Sequence, residues 1–257
     1  MNIWQEQTTL RFGSVDRSDR LTAAAVLGFF QEAAISHATI LGVGRQAMID
    51  SGQAWLLSRL SVFIQKRPKY GDTITIRTWT RGPEKLFCLR DYDISDSSGE
   101  ILVQGRSGWL VINMEKRRPQ RPDAIAEKLP LNEGMDALLS GPLGLAAREN
   151  LAPAGERRAA YSDIDFNGHV NNVRYAQWIQ DLCEPDLLDN ADQMRLDINY
   201  LSEILPGDRV ELLCAPIESE PTPEYPFRIS SAFAFEGRRP ASAEGQAVFR
   251  AELILGN

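Results

Sequence analysis

The segment Tyr161–Cys183, YSDIDFNGHVNNVRYAQWIQDLC, sets the reading of the whole chain. Its first part carries Asp163, Asp165, Asn167 and His169 on every second residue. Alternate residues share a face in an extended segment, so this spacing predicts that the four side chains converge on one pocket. Gly168 allows a tight turn or a close backbone approach. Tyr175, Trp178, Ile179 and Leu182 then fall at i, i+3, i+4 and i+7, the stripe of a helix buried on one face, and Pro185 ends it. Carboxylate, amide and imidazole groups therefore gather where a buried helix begins, and the N–H groups of such a start attract developing negative charge. Asp, Asn and Gly in this place are also ordinary turn and capping residues. The chain has only two histidines, and one of them is His169.

Outward from this segment the pattern repeats. Sliding the sequence by 149 residues puts Phe12 on Tyr161, Asp16 on Asp165, Leu21 on Val170, Phe30 on Ile179 and Gln31 on Gln180, without a gap. A second ungapped match, at 136, puts Leu60 on Leu196, Val62 on Ile198, Gly71 on Gly207 and Asp72 on Asp208. Matching side-chain types in register mean two copies of one supersecondary unit. The copies differ in their polar residues: Ser18 stands for Asn167, Arg20 for His169 and Arg67 for Glu203. One working site is expected, in the second copy, with Arg20 holding Asp16 as an ion pair in the first.

Each copy reads as a polar lead-in, a buried helix and a set of antiparallel strands, an α+β architecture. Leu21 to Leu41 is the first helix, with Thr22 as N-cap and Gly42 as stop. Strands are expected over Trp55–Gln65, Thr73–Arg81, Leu86–Ile94 and Ile101–Asn113, and again over Arg195–Leu201, Arg209–Pro216, Phe227–Phe235 and Gly245–Leu255. Residues 1–118 form one unit and 156–257 the other. Between them, 119–155 reads as a proline-punctuated linker with a short helix around Met135–Leu139.

Composition narrows the function classes. A hydrophobic share of 43% and a charged share of 25% suit an ordinary globular chain. The net charge of −7 argues against nucleic acid or an anionic membrane surface as a general partner. Cys88, Cys183 and Cys214 are widely spaced and odd in number, which gives neither a disulfide framework nor a zinc site. No stretch has the length of a membrane span, and the start MNIWQEQTTLRFGSVD lacks the pattern of a signal peptide. A reducing cytoplasm is the expected location. No metal-ligand spacing or nucleotide loop is present in the sequence, so no cofactor is expected.

The order Asp165-x-Asn167-x-His169-Val170-Asn171-Asn172, on a duplicated helix-plus-sheet unit, resembles the acyl-acyl-carrier-protein thioesterases of bacteria and plants. Gln31-Glu32-Ala33-Ala34, Arg90-Asp91 and Arg117-Arg118-Pro119 extend the resemblance over nearly the whole chain. It implies a tandem (double) hotdog, each unit a long central helix wrapped by an antiparallel sheet. It also implies hydrolysis of acyl-acyl carrier protein to free fatty acid, with Asp165, Asn167, His169 and Glu203 as catalytic residues. Gly168, Val170, Asn171 and Trp55 are the expected substrate contacts, with Phe63 and Phe87 as further tunnel-lining candidates. Many plant members carry a Cys after the catalytic Glu; here that position is Ile204, so a thiol nucleophile is not expected. The implied partner is acyl carrier protein, held by a local basic patch at Lys116-Arg117-Arg118 or Arg157-Arg158. An acyl-CoA thioesterase and a non-catalytic acyl-binding protein are the alternatives, and a homodimer is left open.

Overall fold

The computed structural model describes residues 2–223, 225–240 and 245–257. Thr22, in an extended conformation, accepts the Ala25 N–H and starts helix α1 (Ala23–Ile40); Gly42, at φ +71°, follows its end. The helix buries Val26, Leu27, Phe30, Ala33, Ala34 and His37 against a half-sheet ordered β1 (Ile3–Thr9), β3 (Thr73–Glu84), β4 (Phe87–Ser95), β5 (Ile101–Asn113) and β2 (Gln53–Ile64). The second half-sheet is ordered β8 (Gln193–Tyr200), β11 (Ala247–Gly256), β10 (Ile229–Arg238), β9 (Arg209–Pro216) and β7 (Ala152–Arg158), and accompanies helix α4 (Asn172–Asp181). These are the two units expected from the repeat. Two strands of low hydrophobicity, β1 and β7, complete their outer edges and were not among the expected strands.

β2 and β8 join the half-sheets into one antiparallel sheet. Their register pairs Leu60 with Ile198 and Val62 with Leu196. The 136-residue offset exchanges those two pairs, so the pseudo-twofold axis passes through the Ser61–Asp197 pair, whose side chains are hydrogen-bonded. Duplication reaches individual hydrogen bonds. The Val15–Leu21 bridge recurs as Ile164–Val170, and Leu10 N–H to Asp72 O recurs as Ala159 N–H to Asp208 O, both at 2.9 Å. No helix among the described residues is long and apolar enough to cross a membrane.

The stretch from 119 to 151 is a strap laid over the outer face of the sheet. It contains the short helix α3 (Asp123–Ala126), while β6 (Arg118–Gln120) enters it by pairing with β5. No helix forms at Met135–Leu139. There the backbone is claimed by sheet side chains instead: Trp79 Nε1 donates to Met135 O at 2.7 Å and Ala137 N donates to Asp91 Oδ2 at 2.9 Å. Further on, the Asn199 amide brackets the strap, accepting from Leu145 N and donating to Leu143 O, both at 2.8 Å. The strap thus covers a sheet face carrying buried charge, including fully buried Asp91, whose carboxylate takes a two-pronged bond from Arg106 at 2.6 and 2.7 Å. Prolines at 122, 130 and 142 keep the rest of the strap out of a regular ladder.

Candidate active site

The polar cluster before α4 is brought together by a tight turn rather than an extended strand. Tyr161–Asp163 is a single 3-10 turn, and the Asp165 carbonyl accepts Gly168 N–H at 3.0 Å while the Asp165 backbone N–H donates to His169 O at 3.0 Å. Gly168, at φ +86°, takes the left-handed position that the turn needs; its counterpart Asp19 sits there at φ +59°. Asp165 Oδ1 accepts the Asn167 N–H at 2.8 Å, and Arg45 Nε donates to Asn167 Oδ1 at 3.4 Å. Asp163 turns away, its carboxylate accepting Ala160 N–H at 2.9 Å. Val170 is buried in the core.

Asn171 is the N-cap of α4, its side chain accepting the Val173 N–H at 2.9 Å while its carbonyl accepts Arg174 N–H at 2.9 Å. Asn172 N–H is therefore the donor left without a partner among the described residues at this helix start, and Asn172 lines a cleft. Leu27, Phe30 and Gln31 of α1, Leu57 and Leu60 of β2, Tyr92, Ser107, Trp109 and Tyr200 line that cleft with Asn172 and Val173. Most of the lining comes from the first unit. Trp55 is not part of it: its indole donates to Val43 O at 2.8 Å, in a separate cluster with Met48 and Cys88 beneath α2 (Arg45–Asp50). Phe63 packs with Leu138 and Phe227, and Phe87 lies under the Arg59 guanidinium; neither lines the cleft. The lining aromatics Phe30 and Tyr92 stack at 4.3 Å, an arrangement single-residue reading had no means to find.

Glu203 follows β8, with its side chain 43% exposed. Arg117, at the β5–β6 turn, reaches it at 3.4 Å, and Arg239 donates to its backbone carbonyl at 2.6 Å. Burial pushes the Tyr175 phenol up; the Arg239 charge opposes this, and Glu203 and Asp165 add to it. The Tyr175 ring itself packs against Trp178, Tyr200 and Phe249. His169 is half-buried, and its ring makes no hydrogen bond among the described residues.

The first unit holds the same framework in a closed form. Asp16 Oδ1 accepts Ser18 and Arg20 N–H groups at 2.9 and 3.0 Å, but its partner in charge is Arg67, not Arg20 as expected. Arg20 points instead at α5 (Pro185–Asn190) and the loop after it, bonding Leu188 O at 3.2 Å and Asp192 Oδ1 at 3.0 Å. Arg67 is the counterpart of Glu203, so a carboxylate in one copy is a guanidinium in the other. That guanidinium also donates to Leu21 O and Leu188 O, both at 2.9 Å, and fills the first site.

Residues 1–128 match the family model described as acyl-ACP thioesterase N-terminal domain, and residues 154–246 match the one described as its C-terminal domain. The chain belongs to the acyl-ACP thioesterase family. It is 26% identical over 220 residues to a chloroplastic palmitoyl-acyl carrier protein thioesterase of Cuphea hookeriana, covering 78% of this chain and 52% of the relative. The chain spans about half the length of the curated relative it matches there. The crystal structure of an acyl-ACP thioesterase from Bacteroides thetaiotaomicron superposes with a TM-score of 0.80 at 25% identity, covering 98% of this chain and 97% of that one. The 12:0-ACP thioesterase from Umbellularia californica shares the fold, with a TM-score of 0.80 at 19% identity over 98% and 93% of the two chains. The double hotdog is the fold the resemblance implied. Ile204, the position at which the resemblance raised the question of a thiol, is buried. Burial pushes the Cys88 thiol up to about 11 and the Cys183 thiol to about 12, so both stay protonated at neutral pH.

Proposed function

We propose that this chain hydrolyses acyl thioesters presented on acyl carrier protein, releasing free fatty acid in fatty acid biosynthesis. One arrangement supports the reading. The turn that joins Asp165 to Asn167 and carries His169 leads straight into α4, whose first residue, Asn172, lines an apolar cleft, and Asp165 and Glu203 both act on the Tyr175 phenol of that helix. Water attacks the thioester carbonyl carbon while Glu203 takes its proton. The oxyanion is held by Asn172 N–H at the positive end of α4. The C–S bond then breaks, the thiol leaves with a proton from His169, and the acyl group departs as the acid. The cleft holds about 20 Å³ of free space, the room of about one water molecule. Phe30, Tyr92 and Trp109 therefore part to admit the acyl chain.

No cysteine takes part in this scheme. Replacing Cys88, Cys183 and Cys214 together by Ala is expected to leave turnover per folded molecule within about threefold of wild type, with stability reduced by cavities around Cys88 and Cys183. A folded triple variant without thiol release would sink the water mechanism. Three unpaired thiols suit a reducing compartment, and we place the activity in the cytoplasm.

The partner follows from charge. The chain is acidic overall, at −7, yet exposed Lys116, Arg117 and Arg118 stand beside Glu203, and Arg45 lies over Phe166 at 5.2 Å beside Asn167. Arg157 pairs with Asp181 at 2.9 Å on α4; of the two basic runs the Lys116–Arg118 turn is the one that contacts Glu203, and we take it as the basic rim. An acidic carrier docks there. In a matched panel of carrier and CoA thioesters, thiol release is expected to favour the carrier by about 10-fold or more at low ionic strength, and the advantage shrinks as salt screens the rim. Equal turnover of both classes at every salt concentration would favour a CoA thioesterase; no turnover of either would overturn the reading.

A further inference from the structure

The repeat matches Gln31 of α1 with Gln180 of α4, and the two side chains meet different surroundings. Gln180 Oε1 accepts Ala24 N–H at 3.1 Å, across the pseudo-twofold axis, at the start of α1. Thr22 there has taken the Ala25 N–H and leaves Ala24 for the neighbouring helix. The equivalent donor in the second copy is Val173 N–H. Asn171 already occupies it at 2.9 Å, so the start of α4 makes no demand on Gln31. Gln31 is half-buried, lines the cleft beside Asn172 and Val173, and its amide has no hydrogen bond among the described residues. A half-buried amide that lines the cleft beside a helix start with no need of it is placed for a ligand.

We propose that Gln31 is a catalytic residue of the second unit's site, donating its Nε2–H to the thioester carbonyl opposite Asn172 N–H. The two donors come from facing helices, and together they hold the oxyanion as water adds to the carbonyl carbon. Collapse of that intermediate returns the electron pair to the carbonyl, expels the thiolate, and requires nothing further of Gln31. The inference rests on the proposed hydrolysis. It also separates Gln31 from Gln180, which caps a helix and touches no substrate.

The test compares Gln31→Met, Gln31→Glu and Gln180→Met on the best thioester of the panel, reading kcat, KM and Tm. Gln31→Met keeps length and removes the donor: kcat is expected to fall about tenfold or more with KM within about twofold and Tm unchanged. Gln31→Glu keeps the shape, puts charge against the oxyanion and is expected to fall further. Gln180→Met is expected to lower Tm and leave kcat unchanged. A Gln31→Met variant with wild-type kcat, or one that changes only KM, would overturn the assignment while wild-type turnover leaves the hydrolase reading standing. A loss of kcat in Gln31→Met that tracks a loss of Tm, as in a purely structural residue, would also overturn it.

Discussion

Asp165→Asn is expected to lower thiol release by roughly 100-fold or more, with a melting temperature close to that of wild type. The substitution preserves shape. The amide oxygen still accepts the Asn167 N–H that Asp165 Oδ1 accepts at 2.8 Å, so the turn before α4 keeps its form. What disappears is the negative charge on Oδ2, the atom whose counterpart in Asp16 faces Arg67 and which here accepts from Asn167 Nδ2 at 3.5 Å. With a neutral amide there, the attacking water loses a charged acceptor and Asn167 loses the partner that holds its amide. A folded Asp165→Asn variant with normal initial rates would remove this residue from the catalytic set.

The same substitution in the first copy is expected to do the opposite. Asp16→Asn leaves the Arg67 guanidinium, whose side chain is 1% exposed, without a carboxylate. Burial already pulls that guanidinium down from its ordinary range, and Asp16 is the charge that chiefly counters this. Removing one partner of a buried pair costs about 3 kcal/mol, a fall in Tm of roughly 6–12 °C for a chain of this size. Turnover per folded molecule is expected to stay within about twofold. The double variant Asp16→Asn, Arg67→Met recovers part of the loss, because the orphaned charge is gone. Comparable rate losses in well-folded Asp16→Asn and Asp165→Asn would mean that both copies work.

The two copies were legible because apolar periodicity and side-chain type repeat in register, and most strands fall within a few residues of their expected bounds. β7, with the sequence APAGERR, was not, since an exposed edge strand has little apolar face to display. Met135–Leu139 carried a helical pattern that lost to the sheet's demand for acceptors at Met135 O and Ala137 O. Arg20 is nearer than Arg67 to Asp16 in sequence, but Arg20 is drawn to Leu188 O and Asp192, while the Arg67 guanidinium is held against Leu21 O beside Asp16. Trp55 was a reasonable tunnel residue by type. It lies two positions along β2 from Leu57, beyond the cleft and under α2, a difference only the packing reveals. Gln31 did leave a signal in the sequence, a glutamine matched by a glutamine in register across the repeat.

The junction of β2 with β8 has a consequence for inheritance. In a symmetric pair of identical chains every substitution appears twice, once at each site. Arg67 opposite Asp16 and Glu203 opposite Asp165 could not then coexist, because one gene position would have to encode both. Joined in a single polypeptide, the halves mutate independently, so one can become a plug while the other keeps its reacting groups. The tether also makes assembly of the site unimolecular. Gln31, Arg45 and Arg117 from one half meet Asn172, Asn167 and Glu203 from the other without a collision between chains, and dilution does not separate them.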